Sequence, residues 1–203
     1  MAFESRGSAK ITISELLEPE RIYSRAEVLT RPCPIPSSPG LYAWFFRDIP
    51  PGLTTDECVH NNDLILLYVG ISPKRPPLDG RPSSRQNLRK RVTYHYRGNA
   101  EGSTLRLTLG CLLADQLGIR LYRVGSGKRM TFCEGEAVLN RWMDENAFVC
   151  WMVTDEPWVL ETELIGSVNL PLNIDQNVGS ASRGWVRDVR RKAKEIARCQ
   201  PVR

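Results

Sequence analysis

The chain has 203 residues, 41% of them hydrophobic and 25% charged, with a formal net charge of +5. That length suits one domain with a full core, and that balance excludes a disordered polyelectrolyte. No stretch approaches the roughly eighteen uninterrupted apolar residues of a membrane span, and the opening MAFESRGSAK lacks the apolar centre of a signal peptide, so a cytoplasmic protein without a membrane partner is expected.

Residues 1–38 read as a polar lead-in punctuated by prolines, with a short helix over 24–30. LYAWFF at 41–46 and DLILLYVGI at 63–71 are apolar runs suited to buried strands, and the PPG loop between them suggests an antiparallel pair. A polar loop over 73–84 leads to a helix proposed by Leu88, Val92 and Tyr96 at four-residue spacing, with Ser83 or Ser84 as its cap. On that helix Arg91 and His95 stand four apart and so share a face. A second helix begins at a Ser103 cap and ends near Gly118; IRLYRV at 119–124 reads as a strand and 134–147 as a helix. FVCWMV at 148–153 is a third buried strand. PWVLETELIGSV at 157–168 is a helix with proline in its first turn, and 182–199 is a terminal helix. In the terminal helix Trp185, Val189 and Ile196 are expected to face inward and Arg187, Arg190, Arg191, Lys194 and Arg198 outward.

The charge is unevenly spread. Residues 73–97 carry eight Lys or Arg against one Asp, residues 176–203 carry eight against two, and the remainder carries twelve against twenty. Two basic segments on an otherwise acidic chain point to a polyanion such as nucleic acid; solvated helix faces that keep the protein soluble would give the same count. The six cysteines are too widely spaced for any CxxC and there are two histidines, which leaves little for a soft metal. A metal here would need oxygen ligands.

Glu161 falls in the apolar stripe of the 157–168 helix, beside Trp158, Leu164, Ile165 and Val168. An isolated buried carboxylate costs several kcal/mol, so it must be paired, protonated or bound to a cation. An arginine partner and a metal or catalytic role are equally open from this pattern alone.

Gly40-Leu41-Tyr42 and Tyr68-Val69-Gly70, each at one of the first two strands, resemble the two halves of the GIY-YIG nuclease signature. Order and spacing extend the match: Asn87-Leu88-Arg89-Lys90-Arg91 resembles the family's arginine helix, with Arg91 at the position of the catalytic arginine. His95 falls where the family has tyrosine or histidine, Glu161 on its metal-binding glutamate, and Asn173, twelve residues later, on its closing asparagine. The interval between Arg91 and Glu161 is longer than in the smallest members, an insertion of two predicted helices and a strand.

The resemblance implies an α/β (α+β) domain over 39–175, with a central three-stranded antiparallel sheet flanked by helices, a lead-in over 1–38 and a basic helix over 176–203. It also implies hydrolysis of a DNA phosphodiester, RNA not being excluded, with one divalent cation, Mg²⁺ or Mn²⁺, held by Glu161. Tyr42 would be the general base or orient the attacking water, with Tyr68 beside it. A free phenol has a pKa of about 10, so Tyr42 could serve as a base only if cations lower it. Arg91 would neutralise charge growing on the scissile phosphate, His95 would relay a proton or hold the phosphate, and Asn173 would position. Lys74 follows the second tripeptide closely enough to reach the same site. Arg89 and Lys90, and Arg187, Arg190, Arg191 and Lys194 on the terminal helix, would contact phosphates without reading bases. Two other readings predict different things: a catalytically weak nucleic-acid-binding module on this fold would lack a catalytic residue, and an unrelated acidic α/β protein would hold Glu161 and Arg91 far apart.

Overall fold

The computed structural model describes residues 13–77, 79, 84–174, 177 and 179–203. In chain order the elements are α1 (Ser14–Leu17), α2 (Arg25–Val28), β1 (Gly40–Phe46), β2 (His60–Asn61), β3 (Leu64–Ser72), α3 (Leu88–Arg97), α4 (Thr104–Leu112) and α5 (Ala114–Leu117). β4 (Tyr122–Val124), β5 (Arg129–Thr131), α6 (Gly135–Asn146), β6 (Ala147–Val153), α7 (Pro157–Ser167) and α8 (Arg183–Arg198) follow. None of the described helices is long and apolar enough to cross a membrane.

Among the described residues the main sheet has four strands in the order β2-β3-β1-β6, all neighbours antiparallel, rather than the three expected. The additional strand is only two residues long, too short for a period-two pattern to register in the sequence. β1 is central and every residue of it is buried, so alternate side chains feed opposite cores. Tyr42, Trp44 and Phe46 enter one core with Leu88, Val92 and Tyr96 of α3. Leu41, Ala43 and Phe45 enter the other with Leu16 of α1 and Leu164 and Ile165 of α7. The sheet is thus a layer between helices, which is why its strands read as continuous apolar runs.

The register between β1 and β3 slips between Trp44 and Phe45, because β3 carries one extra residue, Leu67, between the partners Tyr68 and Leu66. The carbonyl of that residue accepts the Leu172 N–H at 3.0 Å. The chain after α7 is thereby fastened to β3.

Several boundaries differ from expectation. α3 is capped by Asn87, whose side chain accepts the Lys90 N–H at 2.9 Å, not by Ser84; Ser83 lies outside the described residues. IRLYRV forms a strand only from Tyr122, in a separate hairpin with β5. In α8 the buried residues are Val186 and Ala197, whereas Trp185 and Ile196 are 49% and 56% exposed. Val189, also expected inward, does pack partly buried against the core, and α8 rests on α4 and β4. Arg123 of β4 donates to the Gln200 carbonyl at 2.8 Å, and the Arg203 N–H returns to the Arg123 carbonyl at 2.9 Å.

Candidate active site

Each glycine of the two tripeptides makes room for a neighbour. Tyr42 pairs opposite Gly70, and a Cβ on Gly70 would stand 2.5 Å from the Tyr42 hydroxyl oxygen and 2.6 Å from its Cζ. The Tyr42 ring therefore lies across β3 in the space that the missing side chain leaves. A Cβ on Gly40 would collide with the Met152 carbonyl oxygen of β6.

One cleft of about 890 Å³ is lined by Tyr42, Tyr68, Lys74, Arg91, Glu161 and Asn173. These residues come from β1, β3, the loop after it, α3, α7 and the segment after α7, so six sequence-predicted positions share one space. The separation of Glu161 from Arg91 that an unrelated fold would give is not observed.

His95, the seventh, is absent from the wall of the cleft. It is fully buried behind Tyr42, with Nε2 2.9 Å from the Tyr42 hydroxyl and Nδ1 2.7 Å from the Ser103 hydroxyl. The rings of Tyr42, Trp44 and Tyr68 surround it at centroid distances of 5.4, 5.7 and 6.3 Å. Burial pushes its pKa well below the ordinary histidine range, and Arg91 and Arg106 add to the effect, so the ring is neutral. His95 thus stands behind Tyr42 and reaches the cleft only through it.

Burial likewise raises the Tyr42 phenol, the Tyr68 phenol adds to this, and Arg91 opposes it without cancelling it. Tyr68 is raised for the same first reason, again with Arg91 opposing. Burial works against the charge of Arg91, but the phenols of Tyr42, Tyr68 and Tyr94 outweigh it and its pKa is raised. Its Nη1 also donates to the Gly102 carbonyl at 2.8 Å, which ties the guanidinium to the turn before α4. The result is a permanent cation against two protonated phenols.

Asn173 holds the backbone. Its Oδ1 accepts the Val69 N–H and its Nδ2 donates to the Val69 carbonyl, both at 2.9 Å, which clamps β3 between Tyr68 and Gly70. Lys74 is exposed at the rim. Arg89 is tied to the lead-in through Nε to the Ile35 carbonyl at 2.6 Å, and Lys90 Nζ donates to the Arg85 carbonyl at 3.4 Å. Of the terminal-helix cations, Arg190 reaches the cleft wall. Arg191 pairs with Asp188 and Glu195, both at 3.2 Å. Arg187 is exposed and Lys194 half-buried away from the wall.

Three residues of the neighbourhood escape sequence reasoning. Ser103 reads only as a helix cap, which it also is, accepting the Arg106 N–H at 3.1 Å. Arg106 is not singled out by the sequence, yet it is fully buried, 2.6 Å from the Glu136 carboxylate and 3.1 Å from the His95 carbonyl. Ser72 is buried on the cleft side with its hydroxyl lacking a partner. The dense polar series Ser103-Thr104-Leu105-Arg106 was the available signal for the first two.

No cluster of three or more His, Cys, Asp or Glu side chains occurs among the described residues. The wall offers hard oxygen: the Glu161 and Glu101 carboxylates, two phenols and the hydroxyls of Thr104 and Thr108, with neither sulfur nor imidazole. Glu101 is already engaged, its Oε2 accepting the Met130 N–H at 2.8 Å. This donor set fits a cation such as Mg²⁺ or Mn²⁺, which takes one or two carboxylates and completes its shell with water and phosphate oxygen.

Comparison with curated proteins and with solved structures gives no match. A protein-family model described as "GIY-YIG catalytic domain" matches residues 40–195, a span that runs from the first glycine of β1 into α8. With that match over most of its length, the chain belongs to the GIY-YIG catalytic domain family, whose members are phosphodiester-hydrolysing nucleases.

Proposed function

We propose that the protein is a metal-dependent endonuclease that hydrolyses DNA phosphodiester bonds, with residues 39–175 as its catalytic body and 176–203 as a basic helix that holds the substrate. The observation that carries this reading is the convergence of Tyr42, Arg91 and Glu161 on one cleft from three elements far apart in sequence. Positioning is most of what hydrolysis of a phosphodiester requires of a protein.

Arg91 meets the scissile phosphate and donates to its non-bridging oxygens as their charge grows. Tyr42 lies beside it and orients the attacking water; once its own phenolic proton has left to solvent through the cleft, its oxygen takes the water's proton as the phosphorus–oxygen bond forms. That transfer depends on positive charge near the phenol, since burial keeps Tyr42 protonated in the free protein. Tyr68 supports Tyr42, and Asn173 keeps both in place through Val69. Lys74 and Arg190, both on the cleft wall, hold flanking phosphates. Glu161 would hold the divalent cation, which when bound supplies positive charge to the phosphate and the leaving oxygen.

Supercoiled plasmid incubated with the protein should be nicked in the presence of Mg²⁺ or Mn²⁺ and not with chelator. Arg91→Ala should lower the rate by about 10²–10³-fold. Plasmid that is bound but never cut, across both cations, would instead support a binding module on the same fold.

A further inference from the structure

Two polar atoms face the ring of His95: the hydroxyl of Ser103 at Nδ1, 2.7 Å away, and that of Tyr42 at Nε2, 2.9 Å away. All three side chains are buried, at 0%, 1% and 0% exposure for Ser103, Tyr42 and His95. Ser103 and His95 are also absent from the cleft wall, so water does not share in the hydrogen bonds at the two ring nitrogens. A neutral imidazole carries one ring hydrogen and a hydroxyl carries one hydrogen with two lone pairs, so the directions of these bonds can be counted.

The count starts at Ser103. Its oxygen accepts the Arg106 N–H at 3.1 Å as the cap of α4, a direction that cannot be reversed. Among the described residues its remaining hydrogen-bond neighbour is His95 Nδ1. If Nδ1 carried the ring hydrogen, the serine oxygen would accept twice and its own hydrogen would be buried with no acceptor, an arrangement that native interiors avoid. With Nδ1 bare, the serine hydroxyl donates to it and every atom is satisfied. The ring hydrogen is then on Nε2 and points at Tyr42.

We infer that Ser103 fixes His95 as the Nε2–H tautomer, so that His95 donates to the Tyr42 oxygen and leaves the phenolic hydrogen of Tyr42 turned to the cleft. Ser103 and His95 are positioning residues, and the inference rests on the nuclease reading only for its consequence in catalysis. That consequence is directional. Nε2 already holds a hydrogen and cannot take one from Tyr42, so the phenolic proton must leave to solvent through the cleft before the Tyr42 oxygen can accept one from the attacking water; Tyr42 lines the cleft and His95 does not. The Tyr42 oxygen receives the Nε2–H of His95 and feels the positive charge of Arg91, and both favour the negative charge that it carries once its proton has left.

The test is long-range ¹H–¹⁵N correlation of the two histidine side chains in uniformly ¹⁵N-labelled protein at neutral pH, without metal or DNA. His60→Gln, at an exposed position on β2, removes the other histidine's signals. The expected pattern has Nδ1 at the shift of an unprotonated ring nitrogen and Nε2 at that of a protonated one; the reverse pattern overturns the inference. Ser103→Ala should blur or invert the pattern, and Ser103→Thr, which keeps the hydroxyl, should preserve it. Should Ser103→Ala not fold, the wild-type and threonine spectra decide alone. In plasmid cleavage, Ser103→Ala should lower kcat by about tenfold or more with KM unchanged and Ser103→Thr should recover it; a wild-type kcat in Ser103→Ala overturns the positioning role. A correct tautomer in a protein that cuts no DNA would sink the nuclease reading and leave the tautomer standing.

Discussion

The hydroxyl oxygen of Tyr42 lies 2.9 Å from Nε2 of His95, across 53 positions of sequence, with the histidine fully buried behind it. Each is a buried hydrogen-bond partner of the other. Tyr42→Phe should therefore act on both chemistry and packing. Nicking should fall by about 10²–10⁴-fold, and the unmet Nε2–H should cost about 1–3 kcal/mol in urea unfolding. Cleavage at the wild-type rate would remove Tyr42 from the reaction.

The depressed pKa of His95 makes a statement about stability. The unfolded chain takes up a proton as pH falls through the ordinary value of 6.5 and the native protein does not. Stability is thus unaffected by this group above that value and is lost as pH falls below it, with a slope of up to about 1.4 kcal/mol per pH unit. Urea unfolding at several pH values between 7.5 and 5.5, roughly spanning this window, should show the slope in the wild type and a smaller one in His95→Asn.

Glu161→Gln should abolish Mg²⁺-dependent nicking while leaving the far-UV spectrum and the urea midpoint close to wild type. The side chain sits half-buried at the cleft wall rather than in the core of α7, where Leu164 and Ile165 do the packing. Loss of the fold in this variant would mark Glu161 as structural, and undiminished cleavage would exclude it as the metal ligand.

Arg106 and Glu136 form a buried ion pair that ties α4 and α6 to the carbonyl of His95. Removing one partner strands the other in the core. Arg106→Met and Glu136→Gln should each destabilise the protein by about 3–5 kcal/mol, whereas a double replacement should recover part of that loss. Glu136 has further duties, accepting the N–H groups of Ala100 and Phe132 at 2.8 and 3.1 Å, so its substitution should be the more damaging.

Arg190 and Arg191 are neighbours in sequence with different surroundings. Arg190 lines the cleft, and Arg191 is compensated by Asp188 and Glu195. Reversal of Arg190 to Glu should weaken DNA binding and reduce the salt slope by about one unit. The same change at Arg191 should do less. Equal effects, read by fluorescence anisotropy across a salt series, would show that α8 contributes its charge as a whole and not through the cleft.

Local pattern was enough for much of this protein. The apolar runs at 41–46, 63–71 and 148–153 fixed three strands because a layer covered on both faces leaves no polar alternation, and the spacing of Leu88, Val92 and Tyr96 fixed α3. Tyr42, Tyr68, Arg91, Glu161 and Asn173 stood out in the sequence by their order and spacing, and the fold brings them to one cleft. The two-residue β2 did not stand out, since it exists only where β3 offers it an edge.

Directions and partners came from the tertiary structure alone. The sequence put Arg91 and His95 on one helical face; only the packing of α3 on β1 turned the histidine inward to Tyr42 and left the arginine at the cleft. It showed Trp185 and Ile196 as apolar, and the seat of α8 on α4 decided that Val186 and Ala197 would be buried instead. Ser103 was a cap by local rule, and became a neighbour of His95 because α4 starts against the end of α3. Periodicity records which side chains share a face, but a hydrogen bond between residues far apart in the chain depends on a rotation and a translation that no local pattern encodes.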